Sequence, residues 1–245
     1  MLREVAYESV LLRERPLYHR QAARWLAAQS GDRLDEYAAL IAEHYELAGE
    51  AQPAAEMYAR AADRAADLHQ PDEAILYYRK VLAFLAHKPH LAAWQLRVQE
   101  RLGALLWRQA RLAEALQNDL AFLSVAKQDG DLLRQARAWN RLAALYEARS
   151  DPAEMLNCAV QAEQAAWLIG ADTALLEALL AQGRARLALG QFAAARETAE
   201  RAEALAARLG TPATGRALDL LCAVHRQASR EAEARRCLAR LAGLA

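Results

Sequence analysis

The 245-residue sequence has little of what a β-sheet or a disulfide-stapled domain needs. Isoleucine and valine together supply only ten residues. A sheet requires β-branched side chains over its pleated faces, so a sheet core is excluded. With ten glycines and six prolines, few points exist where the chain can break, and long uninterrupted segments are implied. The three cysteines, Cys158, Cys222 and Cys237, are too few and too scattered for a disulfide framework and suit a reducing cytoplasm. No stretch approaches the roughly 18 uncharged apolar residues of a membrane span. The first residues, Met1-Leu2-Arg3-Glu4, are charged and do not read as a secretory leader. Charge of one sign is missing as well: 31 basic residues face 31 acidic ones. No net field is left to attract nucleic acid or an anionic membrane. Lysine is scarce too, three against 28 arginines, and we read that bias as the base composition of a GC-rich genome. What remains is abundant: 61 alanines and 41 leucines, the strongest helix formers. The expected fold class is all-α.

An internal repeat organises these helices. Leu142-Ala143-x-x-Tyr146, followed by Ser150-x-Pro152-x-x-Met155-x-x-x-Ala159-x-x-Ala162, aligns with Gly183 and then Gly190-x-Phe192-x-x-Ala195-x-x-x-Ala199-x-x-Ala202. The same frame fits Leu221-Cys222-x-x-His225 with Ala234 and Leu238, Leu102-Gly103-x-x-Leu106 with Ala115, and Ala61-Ala62-x-x-Ala65 with Ala74 and Tyr78. Equivalent positions 74, 115, 155, 195 and 234 are separated by 41, 40, 40 and 39 residues. Asp119 interrupts the frame where its counterparts are small or apolar.

The turns follow the same period. Gly130, Gly170 and Gly210 lie forty apart, with Gly190 midway between two of them, and glycine just past a helix supplies its left-handed closing residue. Pro53, Pro71, Pro89, Pro152 and Pro212 fall at expected helix starts, where a missing amide hydrogen costs nothing. Asp151-Pro152 and Thr211-Pro212 read as an N-cap with a first-turn proline. Each unit is then a hairpin of two helices of about 17 residues, each roughly 25 Å long. Gly103, Ala143 and Gly183 are expected to admit the second helix of the pair, with Ala115, Ala195 and Ala234 facing them. Tyr78, Trp139, Tyr146 and Leu238 are expected to fill the spaces between pairs. A lone hairpin cannot cover its own apolar face, so neighbours must stack.

This pattern resembles tetratricopeptide repeats over about residues 36–245. A forty-residue unit is similar to the longer-helix variant of bacterial regulatory ATPases of the maltose-regulon activator type. The resemblance implies a right-handed α-solenoid of about thirteen helices. At the front, Arg3, Glu4, Tyr7, Arg13, Arg15, His19 and Arg20 resemble the segment that closes the ATPase module in bacterial STAND-type signalling proteins. In those proteins a cyclase or DNA-binding module, an AAA-like ATPase and a tetratricopeptide tail follow one another. Tyr18 stands where that family usually has leucine, and Pro16 starts the second helix abruptly. The following Ile41-Ala42-Glu43-His44-Tyr45 and Ala54-Ala55-x-x-Tyr58-x-x-Ala61 resemble its first tail repeat. The implied organisation is residues 1–33 as the end of an upstream ATPase or winged-helix module and 34–245 as the repeat array. The family's phosphate-binding loop and the cyclase metal-binding aspartates are absent from this sequence, so its catalysis does not carry over.

Few constellations suggest chemistry. Cys222 and His225 lie one helical turn apart, with Cys237 on the partner helix. Zinc would need a fourth ligand, and all three occupy packing positions, so no metal is expected. Cys158 reads as a small buried side chain, His87-Lys88-Pro89-His90 as a solvated connector, and His19 and His44 as capped or core histidines. No Ser/His/Asp or Cys/His set has the arrangement nucleophilic catalysis demands, and neither an enzyme nor a cofactor is expected. Arg134, Arg137 and Arg141 recur at helical spacing, as do Arg235, Arg236 and Arg240. Interleaved glutamates make these solvated faces rather than a nucleic-acid groove.

The expected function is a protein-interaction and sensing scaffold, the regulatory region of a larger bacterial signalling ATPase. Its partner would be a protein or peptide, including its own upstream ATPase module. Trp107 and Trp167, less clearly core than Trp94 or Trp139, join Arg134, Arg137 and Arg141 as candidate partner contacts, since exposed aromatics serve as anchors. A small-molecule inducer held in the superhelical groove is the alternative. Self-association through Leu238, Leu241 and Leu244 of the last repeat is a further expectation.

Overall fold

The computed structural model describes residues 11–86 and 88–243. Among them the regular structure is entirely helical, with twelve α-helices and two short 3-10 turns. About thirteen helices were expected; residues 1–10, with Arg3, Glu4 and Tyr7, lie outside the described residues, as do His87 and Leu244. The chain forms two compact units, Met1–Arg111 and Leu112–Ala245.

The first unit holds α1 (Arg15–Ser30), α2 (Leu34–Leu47), α3 (Ala51–Asp67), α4 (Pro71–Leu85) and α5 (Ala92–Arg108), and each helix packs on the next. Tyr58 of α3 is fully buried, stacked between Tyr77 and Phe84. Its hydroxyl donates to Glu46 Oε2 at 2.5 Å, and the Lys80 ammonium donates to both groups at 2.8 Å. Burial, followed by the hydrogen bond to Glu46, pushes the Tyr58 phenol up to about 12. The phenol therefore stays a donor, which is what its carboxylate partner needs. Tyr78 is anchored in the same way, donating to Asp63 Oδ1 at 2.6 Å.

His19 and His44 prove to be partners of one another. Their Nδ1 atoms meet at 2.9 Å across α1 and α2, so one ring donates and the other accepts. A second proton turns both into donors and breaks the bond. Burial, then the proximity of His44 and Arg15, holds His19 below the ordinary imidazole value. The unfolded chain therefore binds this proton more readily, and stability falls as pH drops from the ordinary value through the folded one. We expect the thermal midpoint to decline as pH falls through and below about 6.5, and His44→Gln to flatten that slope. An unchanged slope in the variant would remove the pair from the account.

The second unit holds α6 (Leu112–Gln128), α7 (Leu132–Ala148), α8 (Pro152–Leu168), α9 (Asp172–Ala188), α10 (Phe192–Leu209), α11 (Thr211–Gln227) and α12 (Glu231–Ala242). Besides sequential neighbours, α7 touches α9 and α9 touches α11, so the first helices of successive hairpins pack directly on one another. The turns of this unit share one design except at Gly210, whose φ of 104° and ψ of 179° give a different closure. At the end of α6, Gly130 has φ 71° and the Asp131 amide donates back to the Ala126 carbonyl at 3.1 Å, a Schellman closure. Ala110 and Ser150 adopt the same left-handed conformation, with φ 54° and 58°. The Asp151 side chain then caps α8 through the Glu154 amide at 3.2 Å, as its sequence suggests. Thr211 is instead the first residue of α11, with Gly210 before it and no side-chain cap.

The frame of small residues lies inside. Ala62, Gly103, Ala143, Gly183 and Cys222 are all buried, and so are Ala74, Ala115, Met155, Ala195 and Ala234. The close approach at Gly183 differs from expectation. A Cβ there would lie 2.5 Å from Leu220 Cδ2, so the glycine admits α11 of the next hairpin rather than its own partner α10. Of the expected space-filling residues, Tyr78 is buried and Trp139 and Tyr146 are half-buried. Leu238 on the last helix is 48% exposed, Leu241 beside it is half-buried, and neither is covered by a following hairpin among the described residues. Cys222 and Cys237 belong to the apolar cluster built from α9 to α12. Burial, then the neighbouring Cys237, raises the Cys222 thiol to about 11, and burial raises Cys158 to about 12. These thiols stay protonated, the wrong form for a nucleophile.

A candidate partner-binding surface

The expected contact residues differ in exposure and in partners. Trp107, at the end of α5, is 45% exposed, and Trp167, near the end of α8, is 71% exposed. Trp167 continues into exposed Leu168 and Ile169, forming an apolar tip. Arg137 is exposed on α7 and meets no carboxylate among the described residues. Arg134 turns back on its own helix start, 3.1 Å from Asp131 and 3.8 Å from Asp129.

Arg141 has a structural partner instead. It forms a two-pronged pair with Asp119 of α6: Nε donates to Oδ2 at 3.0 Å and Nη2 to Oδ1. Its guanidinium also lies over the Phe122 ring, 4.6 Å from the centroid. Asp119 is 3% exposed and accepts in addition from Asn118 Nδ2 at 3.1 Å. The acid that interrupts the repeat in the sequence is thus satisfied by an arginine on the adjacent helix.

The other arginines are also organised. Arg184 reaches Glu147 at 2.7 Å, Arg216 reaches Glu177 at 2.6 Å and Arg208 reaches Asp172 at 3.3 Å. Arg201 pairs with Glu163 and Arg240 with Glu203. In the first unit Arg101 pairs with Asp63 and Arg111 with Asp72. In each case the arginine follows its acid by 36 to 39 residues, nearly one repeat. Exposed pairs of this kind each contribute only about 0–1 kcal/mol. Their value lies in fixing which helix faces which.

A groove missed by sequence reasoning lies between α9 and α11. It has a volume of about 480 Å³. Leu180, Leu187 and Leu220 form its apolar lining, with Arg184, Arg216 and Asp219 at the rim. Leu180 and Leu220 are buried, whereas both arginines are exposed. The groove exists because Gly183 brings the two helices together at its base. Its arginines arrive pre-positioned, since Glu147 and Glu177 hold them from the preceding first helices α7 and α9. Among the described residues, no group of three or more His, Cys, Asp or Glu side chains could hold a metal ion, and no helix is long and apolar enough to cross a membrane.

Comparison with known proteins identifies the fold. No protein-family description and no curated protein matches the sequence. Solved structures do. The chain superposes on a Signal Transduction ATPase with Numerous Domains protein with a tetratricopeptide repeat sensor from Pyrococcus horikoshii with a TM-score of 0.69 at 14% identity. That match covers 96% of this chain and 37% of the other. BtubC from P. vanneervenii gives a TM-score of 0.66 at 16% identity, covering 96% of this chain and 91% of the other. A kinesin light chain with TPR-like repeats from Podosopora anserina gives 0.61 at 19% identity, with 77% and 93% covered. The fold is therefore that of tetratricopeptide-like helical repeats.

Proposed function

We propose that this chain is a protein-interaction and sensing scaffold that binds a peptide or partner segment in the groove between α9 and α11. The observation that carries this reading is an apolar floor between two exposed arginines whose heads are already held in place. Preorganised side chains lose little entropy on binding. The apolar floor supplies the area, and the arginines supply selectivity for an acidic flank. Arg137 and Trp167 of the same unit are further candidate anchors outside the groove, and Trp107 is a separate candidate on the first unit. The resemblance of residues 1–33 to the end of an ATPase module, together with the likeness to a signalling ATPase that carries a repeat sensor, supports a regulatory region with a forty-residue period in a larger bacterial protein. Its own ATPase module is then a natural partner.

A peptide display selection on the full chain tests the groove. Selected sequences should pair apolar residues with acids, and Arg184→Gln with Arg216→Gln should weaken them at least about tenfold, equivalent to 1.4 kcal/mol. Both residues are exposed, so the thermal midpoint should hardly move. Peptides indifferent to both substitutions would place recognition elsewhere. The groove volume also falls within the range of small-ligand sites, about 300–1,000 Å³. A selection that yields no peptide, while a small inducer binds and depends on the same two arginines, would favour the sensor reading.

A further inference from the structure

A second, smaller cavity of about 240 Å³ lies where the start of α10 meets the end of α11 and the turn beyond it. It shares no residue with the groove. Phe192, Val224 and Ala228 supply its apolar wall, while Arg196, His225 and Arg230 supply the polar one. No acid lines it. His225 is only 8% exposed, and its buried Nδ1 has no hydrogen-bond partner. Such an unpartnered polar atom is costly unless something else offsets it. Arg230 meets no carboxylate among the described residues. Among the described residues Arg196 has only Glu200, at 3.7 Å, and the nearby Glu231 is turned to Arg235 at 3.3 Å. The first turn of α10 adds to this field. It carries no acid and has no side-chain cap, and Phe192 and Ala193 of that turn line the cavity, so the positive end of the helix dipole lies beside it.

Two arginines and the start of α10 thus border a cavity with one aromatic wall and no acid, and His225 stands in its lining. The cavity is below the size of an ordinary drug-like site, about 300 Å³ at the least. We propose that it binds a carboxylate carried on a small apolar group. The carboxylate is held between Arg196 and Arg230 beside His225, and the apolar part lies against Phe192. This site goes beyond the groove assigned above and does not depend on it.

The test uses the full chain and 3-phenylpropionate as probe, followed by the ring resonances of His225 and by calorimetry. We expect saturable binding with a shift at His225. Arg196→Gln and Arg230→Gln should each weaken binding at least about fivefold, leave the thermal midpoint unchanged and leave peptide binding in the groove intact. The neutral 3-phenylpropionamide should not bind. A short peptide ending in phenylalanine with a free carboxylate distinguishes the source. Tighter binding than the free acid assigns the site to chain ends, and weaker binding assigns it to small acids. Equal binding by the amide or by inorganic phosphate overturns the proposal, as does binding unchanged in both variants, or none at all.

Discussion

Arg141→Ala should destabilise the chain by about 3–5 kcal/mol, the penalty of leaving a buried carboxylate without its partner. Asp119 is nearly inaccessible, Arg141 meets both its oxygens, and no other cation is within reach among the described residues. The loss should appear as a lower denaturant midpoint at constant slope. Arg141→Lys should recover only part of it, since an ammonium cannot make the two-pronged contact. Replacing both residues together, Asp119→Leu with Arg141→Met, should return most of the stability, because an apolar pair of similar volume avoids the desolvation cost. A loss under about 1 kcal/mol in the single variant would mean that the pair is solvated like a surface bridge.

Gly183→Val carries the second large effect. Its Cβ would fall inside the contact distance of Leu220 Cδ2, so the Leu220 side chain, which also lines the groove, must turn away. Overpacking of this kind costs about 1–3 kcal/mol, against which the removal of a helical glycine gives back less than about 1 kcal/mol. The substitution should also push α11 away from α9 and weaken any groove-bound peptide. Leu220→Ala added to Gly183→Val should restore part of the stability, giving a coupling energy in a double-mutant cycle. Additive effects would show that the two residues do not meet.

The alternation of helix and tight turn was legible in the sequence because both signals are local. Burial of one helical face selects alanine and leucine at fixed spacing, and the closing residue of each turn selects glycine where it can. Contacts between neighbouring hairpins were less legible. Gly183 was recognisable as a point of close approach, yet its expected partner was α10 of the same hairpin, and the residue it meets is Leu220 of α11. Arg141 looked like a surface cation because Asp119, 22 residues earlier, lies on a different helix. The pairs linking each arginine to an acid 36 to 39 residues before it did leave a signal: an acid about one repeat ahead of an arginine, recurring along the chain. Codon bias explained the arginine count and hid that order. The cavity around His225 had no such signature, since Phe192, Arg196, His225 and Arg230 belong to α10, α11 and the turn that follows, and only the packing of those elements brings them together.

Hydrogen–deuterium exchange of the full chain, with and without a peptide chosen by selection, tests the central claim most directly. If the face made by α9 and α11 is the recognition surface, protection should increase across residues 180–188 and 216–227, and Arg216→Gln should abolish the increase. Protection confined to other helices, or a bound peptide that leaves both segments exchanging as before, would contradict it.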